Sequence, residues 1–573
     1  MKEYTATVID TTGIQPYIFG SNRLRENIGA SYLIAEATKQ WVEQALIKLS
    51  KPFYFPDPEL SEQRQEPYPE PDAKPYIEDG NLVAEVIYAG GGNAVLLFTS
   101  HEDAVEFTKI LSHRVLQKAP GVNLVVAHKK FDFSDRDRLL RDTIDDLMKN
   151  ELEAKKRQRI PSIPLLGLGV TASCNSTQLP AIGTSDQFDA PKEDRYWVSR
   201  EVKYKLKNVR NANDKLKKFF AEIVPDVYEF PFRADHLGRT QDELSYVAVV
   251  HADGNSMGDR FKQQGETAST NREYIIKMRE LSWSVNKIGK EALRTVVKTL
   301  VNSIHRNSKG AFIKWLDSKN QSIGQIELNK NPKNGKLYLP FRPLVYGGDD
   351  VTFICDGRLG LTLATLFLKE FEKTAADGEK LTACAGISIV KSHYPFARAY
   401  ELSESLCGSA KKMVREGGGE FSALDWHIAA SGLIGSLSDI RKREYQVNSS
   451  AKETNLTLRP IRLKGEDEAW QNWDDFESVV TEFNIGEDWR DKRNKVISLR
   501  EVLRKGSEAT QQFLGLYKMQ ELPSFSQAPN DDLKNTGWID DYSGSSGEKI
   551  CGYFDAIEAM EFYLPLSGGV NHE

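Results

Sequence analysis

The sequence predicts an α+β fold built from two ferredoxin-like βααββαβ units, an α-rich connecting domain and a C-terminal helical bundle. Three observations predict it. Two stretches of the chain repeat one order of hydrophobic patterns, each stretch has a glycine-rich turn between two β-rich runs, and the 573-residue length leaves room for several domains. Domains are expected at 1–134, 135–242, 243–426 and 427–573.

The first unit opens with the apolar strand Tyr4 to Asp10 and continues as helical pattern through RLRENIGASYLIAEATKQWVEQALIKL. It returns as LVAEVIYAGGGNAVLLF, a strand, a glycine turn and a strand, then a helix at 101–118 and the strand VNLVVAHKKF. Prolines 52, 56, 58, 67, 69, 71 and 75 exclude regular helix from 51–80, so a mobile surface insertion is expected there. A charged helical stretch at 135–158, a Pro/Gly/Ser/Thr-rich run at 159–195 and a basic helical stretch at 199–222 form the connection. The second unit opens with SYVAVVHAD, runs through a long helical pattern from about 271 to 307, and returns as LVYGGDDVTFIC. A helix near 358–375 and the strand LTACAGISIVKS complete it. From the first-strand aspartate to the glycine turn is 80 residues in one unit (Asp10 to Gly90) and 94 in the other (Asp253 to Gly347), so the insertions differ. A helix at 396–416 follows, then helical patterns near 466–484, 488–504 and 507–518.

The balance of 76 basic against 82 acidic residues gives a net charge of −6, which argues against adhesion to nucleic acid or anionic membrane through net charge. No run approaches the roughly 20 apolar residues of a membrane span, and the N-terminus reads as a strand rather than a signal peptide, so a cytoplasmic address and no membrane partner are expected. Five scattered cysteines without a C-x-x-C pair predict reduced thiols, and no H-E-x-x-H motif offers a histidine metal site. The chemistry falls to carboxylates.

The sharpest feature is Tyr346-Gly347-Gly348-Asp349-Asp350. Two glycines permit a tight turn with close backbone approach to a ligand, and paired aspartates at a hairpin tip offer hard oxygen donors suited to Mg²⁺ or Mn²⁺. In a βααββ sheet the first strand lies beside the central hairpin, which brings Asp253 toward Asp349 and Asp350. Three clustered carboxylates repel unless cations intervene, and two ions roughly 3.5–4 Å apart would serve nucleotidyl transfer. Asp253, Asp349 and Asp350 are therefore the expected catalytic and metal-binding residues. Gly254, Asn255 and Ser256 precede a helix whose N-terminal N–H groups suit a triphosphate, with Gly347 and Gly348 at the turn. Lys411 and Arg415, four apart on one helix, are expected to neutralise its β- and γ-phosphates, against an equal expectation of a solvated basic face.

The β1 aspartate, the GGDD hairpin and the AKK helix closed by SALDWHI resemble the palm domains of the large polymerase subunit of type III CRISPR effector complexes, itself similar to the GGDEF palm of diguanylate cyclases. TTGIQPYIFGSNRLRENIGASYLI is similar to the opening of that subunit's first palm. The resemblance implies conversion of ATP to a cyclic oligonucleotide messenger in antiviral defence, with other effector subunits as partners, and a variant without the family's N-terminal nuclease domain. Cys174 stands alone where the family has a zinc-binding set, so no zinc is expected. In the first palm Gly90-Gly91-Gly92-Asn93 replaces the acidic hairpin, which implies an acceptor-nucleotide-binding pseudo-palm with Gly90, Gly91 and Gly92 at the acceptor. Two other readings remain at this stage. One is an idle scaffold binding RNA or protein through KYKLKNVRNANDKLKKFF, and the other is a GTP-using homodimer like the diguanylate cyclases.

Overall fold

In the computed structural model, residues 3–566 are described except 57–75, 136–137, 159–168, 189, 238–244, 309, 318, 320, 420, 430–434, 450–451, 466–468, 520 and 541–548. Most of the insertion expected at 51–80 thus lies outside the described residues.

The first unit comprises β1 (Glu3–Thr12), α1 (Leu24–Thr38), α2 (Gln40–Leu49), β2 (Ala84–Gly90), β3 (Asn93–Phe98), α3 (His101–Lys118) and β4 (Asn123–Asp132). Its sheet runs in the order Phe53–Tyr54, β2, β3, β1, β4, so the first strand lies between the hairpin and the last strand. Helices α4 (Arg200–Lys207) and α5 (Val209–Phe219) belong to the connection and pack on α1. Gly29 permits that approach, because a Cβ there would stand 1.8 Å from the Lys205 carbonyl oxygen.

The second unit repeats the pattern as β5 (Tyr246–Gly254), α6 (Met257–Glu266), α7 (Asn271–Asn302), β6 (Phe341–Gly347), β7 (Asp350–Asp356), α8 (Gly360–Phe371) and β8 (Ala383–Lys391). Helix α9 (Phe396–Glu416) then leads to β9 (Ala423–Ala429), and the sheet order is β6, β7, β5, β8, β9, Ile461–Arg462. The longer spacing in this copy comes from a three-stranded antiparallel sheet over 304–327, inserted between α7 and β6. That sheet begins where the sequence predicted the end of the long helix, which stops at Asn302.

Register confirms the repeat to the residue. Gly90 faces Asn93 across one turn and Gly347 faces Asp350 across the other. The first strand of a hairpin carries its irregularity at the same step in both copies, between Val86 and Tyr88 and between Pro343 and Val345. Ile9 pairs with Ala94 as Ala252 pairs with Val351, so Asp10 and Asp253 are equivalent, as are Thr11 and Gly254, and Gly92 and Asp349.

Alternation along β5 divides the sheet's two faces. Ala248, Val250 and Ala252 join the core under α7 and α8, while Val247 and Val249 join a core shared with α9 and with the first unit's α1. One continuous core thus spans both units, and Phe19 stacks on Tyr400 with ring centroids 3.7 Å apart.

After β9, helices form at Trp473–Ile485, Arg493–Leu503 and Ser507–Leu516, close to the predicted patterns. The C-terminal helical bundle is corrected in one respect: a four-stranded sheet from Gln446–Ser449, Lys452–Asn455, Trp538–Asp540 and Lys549–Cys551 accompanies the helices. Strands of three or four residues are too short to carry a readable alternation.

The seat of α9 is set by Gly386 on β8, where a Cβ would lie 1.9 Å from the Ser403 carbonyl oxygen and 2.3 Å from the Cys407 backbone nitrogen. Gly386→Ala is therefore expected to lift α9 and cost about 1–3 kcal/mol of stability through overpacking. A urea midpoint unchanged from the wild type would show that the helix has more room than this packing allows.

Candidate active site

Asp253 is the penultimate residue of β5, and the pleat turns it to the face that carries α9. Asp350 opens β7 beside it, with the Gly347-Gly348 turn made in positive φ (147° and 73°), a region that favours glycine. Asp349 packs against Gly254: a Cβ on residue 254 would come within 2.8 Å of the Asp349 Cβ. The three aspartates expected to act together are thus brought to one sheet edge.

Lys411, from α9, stands among them. Its Nζ donates to Asp253 Oδ2 at 2.5 Å and to the Gly254 carbonyl oxygen at 3.0 Å. Burial disfavours its charge, yet the Asp253 carboxylate holds the ammonium above its ordinary pKa. Arg415 does not join the cluster; it is exposed one turn further along α9 and forms no hydrogen bond or ion pair among the described residues.

Crowding sets the electrostatics. Burial, then the charge of Asp253, raises the Asp349 carboxyl to about 6. Burial, then Asp253 and Asp349, raises Asp350 to about 8. Asp350 is divided between two environments. Its side chain is 42% exposed, but Oδ1 is sealed without a hydrogen-bond partner, 3.5 Å from His251 Nδ1. His251, itself buried and hydrogen-bonded to Thr352 Oγ1 at 3.2 Å, is pushed down to about 4 by burial against the pull of Asp253.

Of the loop residues, Asn255 is committed internally. Its side-chain amide donates to Thr382 Oγ1 and to the Phe421 carbonyl oxygen. Ser256 adopts positive φ (52°) as the N-cap of α6 and makes no side-chain cap, leaving the first N–H groups of that ten-residue helix without one. Arg260 fixes α6 by a bidentate pair with Asp377.

Sequence reasoning missed the seat of the turn. The Gly348 N–H donates to Asn286 Oδ1 at 3.1 Å, and a Cβ on Gly289 would stand 2.3 Å from the Gly348 carbonyl oxygen, so α7 lies against the tip. A helical stretch that reads as an amphipathic core helix gives no signal of this contact.

A hard divalent cation suits the donors: carboxylate oxygens only, an orphaned Asp350 Oδ1, and a glycine at 254 that leaves room for Asp349. As the side chains stand, no three Asp, Glu, His or Cys groups among the described residues enclose an ion, and the Lys411 ammonium neutralises part of the charge instead.

At the equivalent edge of the first unit, Asp10 Oδ2 is met by Lys156 Nζ at 2.9 Å from the helix after β4, as Asp253 is met by Lys411. Gly92 lies where Asp349 would be, and a Cβ on it would strike Ile14 Cδ1 at 2.5 Å and Thr11 Oγ1 at 3.0 Å. Thr11 closes the edge, its hydroxyl and N–H both donating to the Gly92 carbonyl oxygen. Gly90 and Gly91 have no atom within 4 Å of a built Cβ, so the turn's outer side is open. The basic stretch expected to meet RNA is partly internal, since Lys205 is buried on Glu201 and the Tyr17 carbonyl oxygen and Lys215 pairs with Glu36.

A βααββαβ sheet with carboxylates at the end of its first strand and at its central hairpin is the palm architecture. Residues 246–417 match the family model for the second palm domain of Cas10/Cmr2, so the chain carries a palm of that family. Among solved structures it is similar to the Csm1–Csm4 cassette in complex with cA3, at 11% identity over 98% of this chain and 70% of that one with a TM-score of 0.49. The same cassette in complex with cA4 aligns at 11% identity over 98% and 69%, TM-score 0.48, and Csm1 in T. onnurineus at 11% over 98% and 70%, TM-score 0.47. No curated protein sequence matches the chain.

The raised carboxyls carry a stability consequence whose sign is fixed. Asp349 and Asp350 bind protons more tightly folded than unfolded, so the stability these two groups contribute without metal is present in full below about pH 4 and is lost as pH rises through about 6 to 8. Asp350→Asn should flatten that fall in a series of thermal melts in chelator. An unchanged slope would mean that the pair is solvated and ordinary.

Proposed function

We propose that the chain is a Mg²⁺-dependent nucleotidyltransferase that joins nucleoside triphosphates, ATP foremost, into a cyclic di- or oligonucleotide signal, in association with type III CRISPR-like effector subunits. The observation that carries the reading is the cluster of Asp253, Asp349 and Asp350 at one edge of a palm of the Cas10/Cmr2 family.

In this reading the donor triphosphate lies over the second palm, its phosphates toward the uncapped start of α6, where the N–H groups and the helix dipole favour an anion. Magnesium or manganese held by Asp253, Asp349 and Asp350 would supply charge neutralisation of the phosphates and activation of the attacking hydroxyl. Lys411, already at this edge, turns from Asp253 to the phosphates once the carboxylates have other partners. An acceptor nucleotide rests over the Gly90–Gly92 turn of the first palm, where Asp10 is neutralised by Lys156. The acceptor 3′-oxygen forms a bond to the donor α-phosphorus, the bond to the bridging oxygen breaks, pyrophosphate leaves and the hydroxyl proton is released. The pairing of the two palms within one chain supports a site that needs no second copy, in contrast to a homodimeric cyclase.

Asp253→Ala, Asp349→Ala and Asp350→Ala should each lower turnover about a thousandfold or more while leaving the fold intact, a loss of roughly 4 kcal/mol of transition-state stabilisation. The assay incubates pure protein with each triphosphate and Mg²⁺ or Mn²⁺ and identifies products by mass. Comparable product from all three variants would refute the site.

Lys411→Ala and Arg415→Ala should separate. The first should raise KM for the triphosphate tenfold to a hundredfold, as expected for a lost charged hydrogen bond of about 1.5–3 kcal/mol. The exposed Arg415 should change affinity by less than about threefold. Equal effects would mean that α9 presents a different face to the substrate.

A further inference from the structure

Helix α7 carries three residues at seven-residue spacing, Arg272, Arg279 and Asn286, which fall on one stripe of the helix. The first two hold the first palm. Glu85, wholly buried on β2, accepts from Arg272 Nη1 at 2.5 Å and Nη2 at 2.8 Å, from Arg279 Nη2 at 2.7 Å and from the Ile77 N–H at 3.0 Å. Burial works to raise the Glu85 carboxyl, and the two guanidiniums overrule it and hold it below its usual range. Arg279 Nη2 also donates to the Val86 carbonyl oxygen at 2.6 Å, and Arg272 is bidentate on Glu78. The third residue, Asn286, two turns on, accepts the Gly348 N–H of the catalytic turn, and Gly289 beside it lets the Gly348 carbonyl approach the helix.

Both glycine hairpins are therefore fastened to a single rigid rod. Glu85 lies five residues before Gly90 on the same strand, and Gly348 is the tip of the acidic hairpin. At 1.5 Å rise per residue, Arg279 and Asn286 are about 10 Å apart along the axis. We infer that α7 is a strut that sets the position of the acidic hairpin relative to the first palm, with Asn286 and the Glu85 clamp acting as positioning residues for the transfer. This rests on the function proposed above for what the positioning serves, but not for the mechanical coupling itself. A nucleotide bound across two palms reacts only when attacking and leaving atoms are aligned, so a displacement of one hairpin by a fraction of an ångström is felt in kcat.

The coupling is read on the full-length chain by hydrogen exchange of the peptide containing Gly348, which needs no substrate. Asn286→Leu should speed exchange at Gly348 about fivefold to tenfold, while Asn286→Asp, which keeps an acceptor oxygen, should restore most of the protection. Glu85→Gln should speed exchange at Gly348 as well, although it touches no atom of that hairpin. Arg272→Gln, at the more exposed end of the clamp, serves in its place if Glu85→Gln does not fold. Faster exchange confined to first-palm peptides in the clamp variants would overturn the strut. Turnover supplies the second readout: Asn286→Leu and Glu85→Gln should each lower kcat about tenfold with KM within about twofold, and their double variant should lose less than the product of the two. A raised KM with unchanged kcat for Asn286→Leu would instead put that side chain on the substrate and overturn its positioning role. If the wild-type chain turns over no triphosphate, the proposed function fails while the exchange measurements still decide the strut.

Discussion

Like charges forced together at the end of one strand and the tip of its neighbouring hairpin are what the second palm is organised around. Register leaves no alternative: once Ala252 pairs with Val351, Asp253 and Asp350 stand directly opposite each other on one face, and Asp349 is the next residue of the turn. Burial and then that repulsion push the Asp349 and Asp350 carboxyls upward, and a lysine is drawn onto Asp253. Much of what surrounds the edge serves to keep it in place despite this strain. Gly386 brings α9 close enough for Lys411 to reach, Asn286 fastens the turn, and Asp377 grips α6 through Arg260. Packing in this region positions charges that would otherwise separate.

The same constraint explains how the pair of palms is joined. Each long helix reaches the other palm's hairpin at its irregular step: Ser31 Oγ donates to the Leu344 carbonyl oxygen, and Arg279 donates to that of Val86. An irregular step leaves a carbonyl free of the ladder and turned outward, a natural point of attachment. The contacts are pseudo-symmetric in place but not in chemistry. At the equivalent strand position the first palm buries Glu85 between two arginines, whereas the second buries Arg342 against Asn213, the Pro231 carbonyl oxygen and the Phe232 ring. An inter-palm ion cluster fastens one side and the connecting segment the other, so the interface is directional.

Much of this was legible in the sequence. Strand alternation and glycine turns yielded both sheets, and the spacing of Asp253 to GGDD yielded the carboxylate cluster, because both depend on local periodicity and on one topological rule. Three things were not legible. The inserted sheet over 304–327 follows the long helix without a break in its apolar pattern. The short C-terminal strands pair only through tertiary contacts. Asn286 acts through its position on a helix face, and nothing in the composition of that face distinguishes a hairpin seat from an exposed amide. Arg415 shows the converse: four-residue spacing puts it on one helical face with Lys411, but it is exposed there and makes no contact with the cluster.

The difference between the palms is more than the loss of acidic residues. In the second palm residue 254 is glycine and the side chain on the turn, Asp349, fills the space above it. In the first the arrangement is exchanged: Thr11 supplies the side chain and Gly92 the gap, and the Thr11 hydroxyl closes onto the Gly92 carbonyl oxygen. The two solutions place the side chain on opposite strands of the turn. An aspartate at 92 would meet Thr11 and Ile14, while Thr11→Gly alone would leave a gap and hold the Gly92 carbonyl oxygen by the backbone N–H of residue 11 only. The first palm is thus packed against an aspartate at 92 introduced by that one substitution. The open side of its glycine turn is unaffected by this packing. The two palms thus differ in the packing of their interiors as well as in the side chains at their surfaces.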